Sequence, residues 1–367
     1  MLIYIVVFCL SSFFAYLASK FENKKILTVI FSIIAILIPS YLAGVRDLNI
    51  GTDVAVYGKP FFNRAVESSS FDRYSKICKT DLGYRIVNYV VSRFTNNINI
   101  FLFVIEFLII GIVYVAFYQR RKEFPIWLCM LCYFFLFYNR FLNLLRQGLA
   151  VSIVIYSYKY LEKDDLKKYF IGVIIASFFH PTAIFAATLY LIKLLLKSKS
   201  KNVLIPIISM VMLALILGYG KILSFLINNL GIVSDRYIIY LPSRAFIFNF
   251  VETILLSSFV ILALLFSKKM NKINSNNTLY LLIGFFGIIL TQLSGVADYA
   301  DRIAFYYTGI FPIMLSTVPR YVGKNKIDKN VLTYIIIFLF FLFWYWKFIK
   351  MGSCETYPYT SNILGIF

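Results

Sequence analysis

Apolar blocks of about 17–23 residues recur along this 367-residue chain, each close to the roughly 20 residues a helix needs to cross a bilayer. With 60 % hydrophobic and only 15 % charged residues, the composition excludes an ordinary soluble domain. The blocks predict spans at 2–19, 26–44, 98–119, 124–139, 141–158, 169–180, 182–196, 203–218, 245–266, 277–295, 303–319 and 331–347. The expected fold is all-α and polytopic, one integral membrane domain over 1–367 with about 12 transmembrane or half-spanning helices. Ala15 and Ala18 resemble a signal-peptide cleavage site. The first block nevertheless lacks a basic start, and Lys20, Lys24 and Lys25 follow its apolar run, so it reads as an anchor.

The cations are sorted by type. Short loops at 20–25, 120–123, 159–168, 193–202, 267–276 and 320–330 hold 21 of the 37 basic residues, and 18 of those 21 are Lys. The other segments hold ten of the thirteen arginines: Arg46, Arg64, Arg73, Arg85, Arg93, Arg140, Arg146, Arg236, Arg244 and Arg302. Lysine beside a span marks the cytoplasmic side, whereas arginine grips phosphate or carboxylate with a planar fork of donors. The net charge of +20 then reflects loop lysines facing anionic lipid, and nucleic acid drops out as a partner.

Topology turns on residues 169–196, one apolar block of 28 residues, too long for an ordinary span and short for two. Lys159, Lys163, Lys167 and Lys168 precede it and Lys193, Lys197, Lys199 and Lys201 follow, so a single crossing would strand four lysines on the far side. Phe179-His180-Pro181-Thr182 lies at its middle, and proline both breaks a helix and disfavours helical backbone just before it. A broken helical hairpin is expected, with His180 at its outer tip. Such a break is tolerated only in contact with protein or a watery cavity. Both termini then fall outside, with 45–97 and 219–244 as outer loops forming part of a site, beside residue 140, 296–302 and the tail after 347.

Chemistry-bearing residues collect on that outer side. Arg46 opens a loop in which Gly51 allows close backbone approach and Thr52 and Asp53 donate and accept; Thr52 or Asp53 also suits the N-cap of an amphipathic helix through Tyr57 and Phe61. Asn143-Leu144-Leu145-Arg146-Gln147-Gly148 places a guanidinium in the outer half of a span, which is expensive unless it faces a cavity or a partner. His180, the one histidine in the chain, is the side chain suited to a general base near pH 7. Ser234-Asp235-Arg236-Tyr237, and Asp298-Tyr299-Ala300-Asp301-Arg302 with Tyr306, repeat Asp, Arg and Tyr at short spacing, fit for an anion beside a sugar ring. Glu106 and Glu252 are expected to pair with arginines. Cys129-x-x-Cys132 lacks the second pair or nearby His of a metal site. Cys78 and Cys354, both expected outside, are free to pair or not. There is no phosphate-binding loop, zinc-protease motif or nucleophile elbow, and the chemistry calls for no cofactor and no metal.

Arg46-x4-Gly51-Thr52-Asp53-x3-Tyr57 after the second span, Asp81-x-Gly83-Tyr84 farther on, Arg146-Gln147 opening a span and His180 in a broken hairpin resemble the EpsG family. These are Wzy-like polymerases of bacterial exopolysaccharide, capsule or O-antigen. The likeness runs from about 40 to 310, carried at its end by hydropathy with Arg236 and Arg302. It implies a metal-independent membrane glycosyltransferase of the bacterial cytoplasmic membrane, its active site facing outward. Donor and acceptor would be undecaprenyl-pyrophosphate-linked glycans, with a chain-length regulator protein as a further partner. On that reading Arg46, Arg146, Arg236 and Arg302 clamp pyrophosphate, and Thr52, Tyr57, Gln147, Tyr237 and Tyr306 contact substrate. His180 or Asp53 deprotonates the acceptor hydroxyl. The alternatives are a lipid-linked glycan ligase, a flippase and an O-acyltransferase.

Overall fold

The computed structural model of the chain describes residues 1–228, 246–297, 299–323 and 325–367, and among these it is helical, with one isolated bridge between Ser361 and Ile366. The helices are α1 (Leu2–Lys20), α2 (Lys25–Gly44), α3 (Lys59–Glu67), α4 (Phe71–Ile77), α5 (Leu82–Ser92), α6 (Ile98–Tyr118), α7 (Ile126–Tyr133), α8 (Asn139–Asn143), α9 (Leu145–Glu162) and α10 (Leu166–Ser177). There follow α11 (Thr188–Lys197), α12 (Lys201–Leu217), α13 (Tyr219–Asn228), α14 (Phe250–Leu265), α15 (Ser267–Ile273), α16 (Asn277–Thr291), α17 (Phe305–Thr308), α18 (Phe311–Val322) and α19 (Lys326–Trp344).

Among the described residues six stretches are long and apolar enough to cross a bilayer: Leu2–Lys20, Lys25–Gly44, Ile98–Tyr118, Ile126–Asn143, Asn277–Gly295 and Lys326–Lys350. The number is eight if α12 with Tyr219–Phe225, bent by 67°, and α14 with α15, bent by 65°, each count as one. The all-helical class agrees with the sequence reading, and the count stands at six to eight beside its expected dozen full or half spans. Two causes separate the numbers. Helix α9 carries Arg146, Lys159 and Glu162 within its 18 residues, and the blocks 169–196 and 303–319 fold as short pieces.

The chain divides into two compact units, Met1–Ile184 with Leu315–Phe367, and Phe185–Met314. In the first, α1 packs on α2 and α7, α2 on α6, α6 on α9 and α9 on α10. Its central stretch, α7 continuing through the wide turn Phe134–Tyr138 into α8, is buried almost throughout. The sequence places a loop at residue 140, but the helix runs on to Asn143. Arg140 is 3 % exposed, its guanidinium 5.4–5.9 Å from the rings of Phe137, Phe343 and Phe348, an aromatic cage that favours the cation.

The two ends of this unit differ. At one end Arg121 Nε meets Glu22 Oε2 at 2.9 Å, and Arg120 meets Glu123 at 2.6 Å and Glu162 at 2.8 Å. Lys159 Nζ donates to Gln119 at 2.6 Å and Arg320 to the Arg121 carbonyl at 3.2 Å. The segments around 22, 121, 162 and 320 therefore share one end. At the other, Asn99 Nδ2 donates to the Gly44 carbonyl at 2.7 Å, and the C-terminal tail lies across the loop after α2. The long segment 45–97 is folded there: α3, α4 and α5 enclose Ala65, Tyr74 and Cys78, with Phe61, Phe71 and Tyr89 packed against them. Cys78 is thus interior to that cluster, and both it and Cys354 are free thiols.

The block 169–196 breaks where its proline predicts. Helix α10 ends at Ser177, and a tightly wound 3₁₀ segment of seven residues, Pro181–Ala187, leads into α11. In the second unit α16 is the centre, packed by α11, α12, α14 and α17.

Candidate active site

The site is built on a helix break. Leu144, at φ −88° and ψ 64°, interrupts the run between α8 and α9, so carbonyls at the end of α8 and amides at the start of α9 lack helical partners. The loop after α2 docks on that break. Arg46 Nη2 donates to the Leu142 carbonyl at 2.7 Å, and the Asp53 amide donates to Asn143 Oδ1 at 2.8 Å. Gly51 makes the docking possible on two counts. Its φ of +86° is left-handed, and a Cβ there would stand 3.0 Å from Asn143 Cα and 3.2 Å from the Leu142 oxygen. Thr52 does not cap a helix; its hydroxyl donates to the Glu355 carboxylate.

Arg146, in the first turn of α9, is about one-fifth exposed and is held on three sides. Its Nη1 meets Asp81 Oδ2 at 2.7 Å and Thr80 Oγ1 at 3.2 Å, and its guanidinium lies 4.5 Å from the centre of the Tyr57 ring. Loop, mid-segment and span motifs of the sequence thus converge on one cation. A helix N-terminus and a guanidinium at the same place both favour an anion. Gln147 beside it is buried at 2 % exposure, and Gly148 packs so closely that a Cβ would come within 2.8 Å of Ile109. Tyr84 is wholly buried, which pushes its phenol above the ordinary range; the fields of Arg146 and Asp53 both reach it, so these two lie near the same ring.

The same strip of chain reaches the histidine turn. Two residues beyond Asp81, the Gly83 amide donates to the Phe178 carbonyl at 2.7 Å. A Cβ at Gly83 would stand 3.0 Å from that oxygen and from the Phe179 ring, so a larger residue would have to push this approach apart. His180 follows two residues later, with Thr182 Oγ1 at 2.7 Å from its Nδ1. One ring nitrogen is thereby engaged and the imidazole is oriented.

Other expected residues fall elsewhere. Arg46 is 1 % exposed and fastens its loop to α8, so in this structure it is a tie. Its Nε and Nη1, and both Glu106 oxygens, lack hydrogen-bond partners among the described residues, while the two groups act on one another electrostatically. Glu252 accepts from Asn249 Nδ2 at 2.7 Å. In the second unit Arg302 lies 4.3 Å from the Tyr299 ring centre, and Tyr306 is wholly buried. Arg236, Tyr237, Arg244 and Asp298 lie outside the described residues.

One part went unread in the sequence. Residues 355–362 grip the loop after α2: Gly51 N donates to Glu355 O at 3.0 Å, Asp47 N to Thr360 O at 3.1 Å, and Asn362 N and Nδ2 to Asp47 Oδ1 at 2.9 Å. Tyr359 and Ser361 donate to the carbonyls of Leu42 and Val45. Arg46, Asp47, Asn49, Asn99 and Asn362 border an open cavity of about 430 Å³ here. The only advance signal is a polar Thr, Tyr, Ser and Asn run after a long apolar helix.

The EpsG family model matches residues 29–361, nearly the whole length, and so covers this arrangement from within α2 to Ser361 in the tail. The chain belongs to the EpsG family. EpsG-family proteins are Wzy-like polysaccharide polymerases, and with its long apolar helices this one is a multi-pass membrane protein. No curated protein and no solved structure is significantly similar to it.

Proposed function

We propose that this EpsG-family chain polymerises undecaprenyl-pyrophosphate-linked repeat units by glycosyl transfer on the outer face of the bacterial cytoplasmic membrane. The observation that carries the reading is Arg146, set at a helix N-terminus over Tyr57 and held by Asp81 on the strip that reaches His180. In the transfer the acceptor sugar hydroxyl attacks the anomeric carbon of the growing glycan. The new C–O bond forms as the bond to the lipid pyrophosphate breaks, and the pyrophosphate leaves with the electron pair. Its growing charge is what Arg146 and the α9 amides offset, an effect worth several kcal/mol for a well-placed donor. His180 takes the acceptor proton on Nε2 while Nδ1 donates to Thr182. Asp53, its amide fixed by Asn143, is the second candidate base. Tyr57 presents a ring face beside the cation, as sugar stacking requires, while Arg46 and Gln147 support the pocket from inside. Arg236, Tyr237 and Arg302 stay in the proposal as ligands on the strength of the sequence alone, and Thr52 acts through its bond to Glu355.

The test is a reconstitution. Purified protein in liposomes, given the single lipid-linked repeat of its own host, should produce a ladder of longer glycans. His180→Ala should slow that ladder by about 10²–10⁴-fold while lipid-linked repeat is still retained by the protein. Transfer of single repeats to a non-lipid acceptor without a ladder would make the chain a ligase; movement across the bilayer without a ladder would make it a flippase. Either outcome ends the proposal.

A further inference from the structure

The opposite end of the first unit holds a second cavity, bordered by cations, which the glycosyl-transfer reading does not use. It measures about 450 Å³, within the roughly 300–1,000 Å³ of ligand sites, and four cations border it: Lys20, Arg121, Arg320 and Lys329. They come from four places in the chain. Lys20 closes α1, Arg121 follows α6, Arg320 is in the last turn of α18 and Lys329 in the first turns of α19. Trp127 and Tyr16 supply aromatic walls, and Ser19 and Thr333 supply hydroxyls. Among the described residues none that line the cavity is acidic. Glu22 pairs with Arg121 at 2.9 Å, which still leaves three positive charges around one small space.

Like charges held together at a membrane edge repel one another; Lys20, Arg320 and Lys329 are exposed and Arg121 is half-buried, so an anion arriving from the surface reaches them. Nothing in the fold forces them together except the packing of the helix ends. The arginines are nonetheless anchored: Arg121 Nη1 donates to the Tyr118 carbonyl at 3.3 Å, and Arg320 Nη1 to the Arg121 carbonyl at 3.2 Å. Those bonds fix the forks and leave further N–H groups for an anion. Trp127, half-buried at the start of α7, marks the depth at which indoles sit beside headgroups.

We propose that this cavity binds the phosphodiester headgroup of an anionic membrane lipid, a site at the lysine-rich end separate from the one around Arg146. Basic pockets between helix ends are suited to such headgroups, because a phosphate neutralises several cations at once while the acyl chains stay among the spans. The headgroup bridges α1, α7, α18 and α19 and so closes the unit at the end where its chain termini do not meet. The inference stands whether or not the chain is a polymerase.

The full chain in phosphatidylcholine nanodiscs allows a direct test, because Trp127 is the one of three tryptophans at this cavity. Phosphatidylglycerol brominated near the headgroup is titrated in and tryptophan emission is read, with Trp127→Phe as the reference. The site predicts quenching that saturates while phosphatidylglycerol is still a minor fraction of the lipid. Arg320→Gln or Lys329→Gln should move the midpoint several-fold higher, with folding checked by thermal unfolding and Arg320→Lys largely restoring it. Equal, unsaturated quenching by brominated phosphatidylcholine and phosphatidylglycerol would overturn the proposal. Inorganic phosphate or glycerol 1-phosphate relieving the quenching at millimolar concentration would assign the cavity to a soluble phosphate and overturn the lipid assignment.

Discussion

The two ends of the first unit treat arginine in opposite ways. At the lysine-rich end Arg120, with a side chain only 7 % exposed, lies between two carboxylates, Glu123 at 2.6 Å and Glu162 at 2.8 Å. At the other end Arg146 has Asp81 at 2.7 Å and a hydroxyl and a ring beside it, and stays one-fifth exposed at the start of a helix. The first arrangement is closed electrostatically and serves the fold. The second stays partly open to solvent at a helix N-terminus, the place where the proposed function puts an anion. The residue type is the same, and the number of carboxylates around it, together with the helix end it occupies, decides which task it performs.

That contrast can be broken by substitution. Arg120→Ala removes the Arg120 partner of Glu162, which is 9 % exposed, and removing one partner of a buried pair costs about 3–5 kcal/mol. Its unfolding midpoint in detergent should fall by several degrees, and a midpoint equal to wild type would show that this end is not held by the network. Asp81→Asn keeps the shape but loosens the guanidinium, so glycan extension should drop by about 10²-fold with little change in unfolding temperature. If the unfolding temperature falls instead and extension per folded molecule holds, Asp81 is structural.

A smaller effect belongs to the tail. Asp47 is held below the ordinary carboxylate range, first by the Asn362 backbone amide and further by its side chain. A lowered folded-state pKa means stability that is present above the unfolded value, near pH 4, and lost as pH falls through the folded one. Because Asp47 is solvent-accessible, screening limits the contribution to a few tenths of a kcal/mol. Asn362→Ala should therefore shift acid unfolding only slightly upward in pH, and a loss at neutral pH as large as that of Arg120→Ala would mean the tail does more than hold the loop.

Much of this was legible in the residues. Lysine clusters placed the segments around 22, 121, 162 and 320 together because anionic lipid and the positive-inside bias act on loops that are short and local. Gly51, Arg146 and His180 stood out for local reasons: a glycine that permits close backbone approach, a guanidinium in a span, a break before proline. Gly83 entered only with a family motif, and its crowding against Phe178 and Phe179 shows only in the fold. Arg46 was only half legible, since spacing alone does not show that its guanidinium both borders a cavity and donates to the Leu142 carbonyl. Continuity of α8 through Arg140 was hidden because a cage of Phe137, Phe343 and Phe348 forms only once α19 and the turn after it are in place. The tail had no periodicity to announce it. Its bonds to Val45, Asp47 and Gly51 join residues more than 300 positions apart, which no local pattern encodes.

The most direct measurement is glycan length per folded molecule in cells carrying Arg146→Ala, run beside Arg120→Ala, with membrane protein quantified in both. Arg146→Ala should retain normal amounts of folded protein and lose long polymer, with single lipid-linked repeats accumulating on the outer leaflet. Arg120→Ala should lose protein and keep full-length polymer on whatever remains. Normal polymer from Arg146→Ala would contradict the account, because the cation left open at that end would then have no part in the transfer.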